Sequence, residues 1–172
     1  MTNRFERVPK VTFIVLLFVC LRCSAHRRAP QFAYEEASGC GGVIVSTWNG
    51  AGTEVLSVEI DRKLVQLAPG ITRTYEIAKL PAGVRVVLEL FSSRAHNWRC
   101  SDVMNRNAED AQLWSAVGGR LSVTIGTATA AFEPYPVTLE LKDGVFRSSD
   151  GRTASVGRPL TIFGGAGTGP GG

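Results

Sequence analysis

The chain is short of the side chains that most often carry chemistry. It has two histidines, two methionines and four cysteines in 172 residues, no P-loop lysine, and no Gly-x-Gly-x-x-Gly between a strand and a helix pattern, that spacing occurring only in the terminal glycine run. The shortage of His and Cys leaves too few ligands for a zinc centre, and the missing fingerprints remove the common nucleotide-binding designs. No bound metal or cofactor is expected. The chain also lacks any apolar run of the roughly 20 residues a helix needs to cross a bilayer. Val11–Leu21, apolar except for Thr12, is only 11 residues long. No Asn-x-Ser/Thr sequon occurs either, so glycosylation is not indicated.

What the N-terminus does have is the layout of a secretory signal. Arg4, Arg7 and Lys10 form a basic region, Val11–Leu21 an apolar core, and Cys23 and Ala25 occupy the −3 and −1 positions of a cleavage site before His26. A retained signal-anchor is the alternative. Removing 1–25 takes four basic residues (Arg4, Arg7, Lys10, Arg22) and one acidic residue (Glu6) from totals of 19 and 15, leaving 15 against 14. The remainder is therefore nearly neutral, and it lacks the concentrated positive footprint that a phosphate backbone requires. Nucleic acid is excluded as a partner, and the expected location is secreted, periplasmic or otherwise extracytoplasmic.

Cleavage also removes Cys20 and Cys23. Cys40 and Cys100 remain, and in an oxidising compartment an isolated pair is expected to form a disulfide. Closing a loop of that length contributes on the order of 4 kcal/mol in the chain-entropy model.

Beyond the leader the pattern is that of short strands. Residues 26–39 are expected as an extended lead-in, with Phe32 and Tyr34 two apart on one face. Val43–Trp48 and Glu54–Asp61 flank the turn signal Asn49-Gly50. Arg62–Leu67 allows one helical turn. Ile71–Ile77 and Val84–Phe91 read as a second hairpin, and 113–117 with 120–125 as a third across Gly118-Gly119. Val137–Leu141 precedes a turn at Asp143-Gly144, and shorter strands follow at 145–147, 153–156 and 160–163. The glycine-dominated 164–172 is expected as a disordered tail. Eight or nine strands at this spacing indicate an all-β antiparallel sandwich, immunoglobulin-like or related, over 40–163, with a small barrel as alternative. Its expected core is Val43, Val45, Leu56, Val58, Ile60, Tyr75, Ile77, Val86, Leu88, Leu90, Leu121, Val123, Ile125, Leu139 and Leu141.

Chemistry is sparse within this frame. Glu54, Glu59, Glu76, Glu89 and Glu140 alternate with apolar residues and read as solvent-facing positions, not as a glycosidic acid pair. His96 with Asp102 and nearby serines suggests a nucleophile–base arrangement, but no local signature surrounds a serine. Trp48 and Trp114 read as strand-end or core aromatics. The densest cluster is Arg94, His96, Asn97, Trp98 and Arg99, in the irregular stretch Ser92–Gln112. These residue types concentrate binding energy at protein or carbohydrate surfaces. The sequence thus points to a non-enzymatic binding or structural module, with a hydrolase or hydrolase inhibitor using Ser92–Gln112 as the alternative.

Overall fold

The computed structural model describes residues 28–95, 111–128 and 134–166. Within them lie nine strands: β1 (Glu36–Cys40), β2 (Ile44–Trp48), β3 (Glu54–Ile60), β4 (Thr72–Glu76), β5 (Val84–Leu90), β6 (Gln112–Ile125), β7 (Tyr135–Ser148), β8 (Thr153–Ser155) and β9 (Leu160–Ala166). All pairings are antiparallel, in the order β1-β2-β3-β5-β6-β7-β8, with β4 on β6 and β9 on β7, and the sheet does not close. The all-β sandwich class read from the sequence is the observed one.

Two long strands make the layers. The first part of β6 pairs with β5 and its second part with β4; β7 pairs with β9 first and with β8 afterwards. Between these parts the β6–β7 register shifts at Ala116, Gly118 and Arg120. Gly119 adopts φ 102°, and a Cβ there would lie 2.5 Å from the Asp143 carbonyl oxygen. Asp143 opposite is left-handed as well, at φ 53°. Glycine here bends a continuous strand, as bulges do. The hairpin expected across Gly118-Gly119 and the turn expected at Asp143-Gly144 are thus one irregularity shared by two 14-residue strands.

Other boundaries also differ from the sequence reading. Ile71–Ile77 does not form a hairpin with Val84–Phe91: β4 pairs with β6, and residues Ile77–Lys79 form a 3₁₀ turn leading towards β5. The expected single helical turn is present as α1 (Arg62–Val65), capped by Asp61, whose carboxylate accepts from the Lys63 and Leu64 amides. The lead-in contains β1, which pairs with β2 across the Gly41 turn. The glycine tail begins inside β9, where Gly164 and Gly165 pair with Val137 and Pro136. Their small size has a use there. A Cβ on Gly164 would press on the Val45 side chain at 2.7 Å, and one on Gly39 would lie 2.0 Å from the Gly165 carbonyl oxygen. Glycines let the free edges of β1 and β9 meet.

One apolar cluster fills the space between the layers. It contains every expected core residue, with Tyr75 at its margin, and adds Trp114, Phe146, Val137, Leu160 and Ile162. Trp114 and Phe146 are the largest side chains in it; Trp114 matches its reading as a strand-end or core aromatic, whereas Phe146 was not anticipated. Trp114 lies beneath the Arg152 guanidinium, 5.1 Å from the ring centre. Arg152 is fixed by Asp150, its Nε donating to both carboxylate oxygens at 3.0 and 2.8 Å, while the Ser148 hydroxyl also donates to Asp150.

The Arg152 hydrogen bond first, then that from Ser148, lowers the Asp150 pKa from 3.8 to about 2. Because the folded value is the lower one, the contribution of this turn is complete above pH 4 and is lost as pH falls through about 2. A carboxyl-detected NMR titration is expected to give Asp150 a midpoint near 2 and Arg152→Ala a midpoint shifted towards 3.8; a native midpoint near 3.8 contradicts the arrangement.

Candidate functional site

One end of the sandwich gathers the lead-in, the β2–β3 turn and the entry to the 92–111 stretch. The Asn49 side chain organises the turn. Its Oδ1 accepts from the Thr53 and Glu54 amides at 2.9 and 3.2 Å, and the Asn49 carbonyl accepts from Gly52 N at 2.7 Å. The turn in turn holds the following strand end, since Phe91 N donates to Thr53 O at 2.8 Å and Ala95 N to Gly52 O at 2.7 Å. Trp48, Val55, Phe91 and Ala95 form a second, smaller apolar cluster, with Ala111 packed against it. Ala95 and Ala111, the residues that flank 96–110, therefore sit on a single patch. Trp48 and Trp114 are buried, as their reading from sequence proposed.

On the inner side of the same turn stands Glu54, which is fully buried. Its two carboxylate oxygens accept from the backbone amides of Gln31 and Phe32, each at 2.8 Å. These are charge-assisted bonds, and they answer the desolvation of the carboxylate. Phe32 takes a left-handed φ of 53°, a costly conformation for a bulky residue, and its ring packs 5.6 Å from that of Phe146. Arg28 donates to Thr53 Oγ1 at 2.9 Å, and Glu35 N to Trp48 O at 3.1 Å. Tyr34 is drawn in beside Glu54. Burial, and then the negative charge of Glu54, push its phenol far above the usual range. Phe32 and Tyr34 both pack against the core, as their spacing predicted.

Two of the carboxylates expected to face solvent are therefore buried. Glu54 shares the parity of Leu56, Val58 and Ile60, so alternation places it on the core side at the strand's end. That parity was the available signal, and the apolar residues around Glu54 obscured it. Glu89 lies with Val87 on the opposite face of β5 and is buried too. Glu59, Glu76 and Glu140 are exposed or half-exposed.

Among the predicted binding residues, Arg94 is exposed beside Ala95, at the start of the segment. His96, Asn97, Trp98 and Arg99 lie outside the described residues, as do Asp102, Ser101 and Cys100. Cys40 ends β1, in register with Ile44. A cleft of about 500 Å³ separates the lead-in from β9, with Tyr34 and Glu36 on one wall and Arg158, Leu160 and Phe163 on the other. Among the described residues no helix is long and apolar enough to cross a membrane.

In comparisons with known proteins, the chain matches no family model, no curated protein and no solved structure.

Replacing Glu54 with Ala removes the acceptor of two part-buried amides and releases the lead-in. Denaturant unfolding is expected to show a loss of about 3 kcal/mol, the scale of hydrogen bonds to a charged group plus their unsatisfied donors. Glu54→Gln, which keeps one acceptor, is expected to lose less. A Glu54→Ala protein as stable as the native one contradicts the clamp.

Proposed function

We propose that this is a secreted, non-enzymatic β-sandwich acting outside the cytoplasm as a binding module, with the 96–110 segment supplying the principal contacts. The observation that carries the reading is the placement of Ala95 and Ala111, which flank that segment, on one apolar patch with Trp48, Val55 and Phe91. Binding residues are disproportionately placed on loops held by a rigid scaffold. In sequence, His96, Asn97, Trp98 and Arg99 follow Arg94 closely, a set rich in the side chains that dominate binding energy. The signal-like leader at 1–25 supports the location.

A Cys40–Cys100 disulfide, the pairing expected of two cysteines left in an oxidising compartment, belongs to this proposal. Non-reducing peptide mapping of exported protein is expected to show a Cys40–Cys100 peptide; free thiols at both positions, or a different pairing, refute it.

The loop reading is tested by substitution. Against a bound partner recovered by cross-linking at 96–110, Trp98→Ala is expected to cost roughly 2 kcal/mol of affinity, and His96→Ala less. A hydrolase using His96 predicts instead a drop in turnover of about a hundredfold for His96→Ala, with binding intact. Unchanged affinity in a folded Trp98→Ala protein returns the search to the strand faces.

A further inference from the structure

The outer face of the second layer is an ordered, polar array. The alternation that sends Leu121, Val123, Leu139 and Ile162 inward sends hydroxyl-bearing residues outward. Across β4, β6, β7 and β9 one register row reads Thr72, Thr124, Thr138, Phe163. The next reads Thr74, Ser122, Glu140, Thr161. Four strands at about 4.8 Å make each row roughly 14 Å wide, and the rows stand roughly 6.7 Å apart along the strands.

The chemistry of the face is specific. Thr72 and Thr124 share a hydrogen bond of 2.8 Å between their hydroxyls, and Thr74 and Ser122 one of 3.0 Å. Such a pair uses one O–H and one lone pair, so the second O–H and further lone pairs of each pair point to solvent. The charge on the second row is neutralised locally, Lys142 Nζ lying 2.9 Å from Glu140 Oε1. Phe163 stands at the free edge, 68% exposed, in line with the first threonine row. An exposed aromatic ring beside a plane of paired hydroxyls offers stacking to C–H faces and hydrogen bonds to O–H groups at once. It offers no net charge to an ionic partner.

We propose that this face binds an extended, neutral, β-linked polysaccharide, with Phe163 stacking on a sugar ring and the threonine rows meeting the hydroxyls of the same chain. A β-linked chain of sugars presents ring faces and hydroxyls along one line, as the row from the threonine pair through Thr138 to Phe163 presents hydroxyls and an aromatic ring. This face uses no residue of 96–110, and the proposal stands whether or not that segment binds anything.

The test is depletion of the native protein from solution by suspensions of microcrystalline cellulose and of chitin, with unfolding midpoints measured in parallel. Retention on at least one of them is expected. Phe163→Ala and the double variant Thr124→Lys/Thr138→Lys are each expected to bind at least tenfold more weakly with unchanged midpoints, and Trp98→Ala to bind like the native protein. No depletion of the native protein by either polysaccharide overturns the proposal, as does retention of both face variants at native strength. So does a dimer seen by sedimentation that Phe163→Ala abolishes while neither polysaccharide is bound, because the edge of β9 then serves a second copy of the chain.

Discussion

The arrangement at one end of the molecule depends on a carboxylate that has been taken out of water. Glu54 is buried on the core side of β3, and its oxygens are met by backbone amides of residues that precede the first strand. An ion left bare in such a place costs several kcal/mol, so the lead-in cannot be a passive extension. Its capture draws Phe32 into a left-handed backbone conformation, sets its ring against Phe146, and brings Tyr34 beside the carboxylate. The same residue's amide is held by Asn49, which also shapes the turn on which Phe91 and Ala95 rest. One charge thereby couples the start of the domain to Ala95, the residue that precedes 96–110.

Much of the fold was legible because strand periodicity is a direct record of which face is buried. Leu56, Val58 and Ile60, or Leu121, Val123 and Ile125, announce their side without ambiguity, and all of them lie in the core. What failed was punctuation. Gly118-Gly119 carries the residue types of a hairpin turn, yet turn and bulge make the same local demand for positive φ. Only the pairing of distant strands decides between them. The β4–β6 pairing was hidden for a similar reason, since proximity in sequence favoured β5 and nothing local reports a partner some 45 residues away.

The candidate site was legible in part. Phe32 and Tyr34 were placed correctly by their spacing, whereas Glu54 was misjudged because a charged residue among apolar ones was assigned by type and not by parity. Phe146 escaped because it lies on a long strand that changes layers, so that the local alternation alone did not mark it as one of the largest core residues. The hydroxyl rows were individually visible as polar strand positions. Their alignment exists only once four strands are in register.

The meeting of β1 and β9 across Gly39 and Gly165 has a temporal side. A chain made from its N-terminus presents β1 and β2 early, but the strand that lies against β1 is the ninth, and it pairs with β7 rather than with anything near it in the opening half. The second layer therefore lacks its outer strand until residues 160–166 have emerged, and the apolar faces of Val45 and Val137 await Gly164 until then. The contact between β1 and β9 is thus one of long sequence separation, and it forms only after the glycine-bearing segment of β9 has been made.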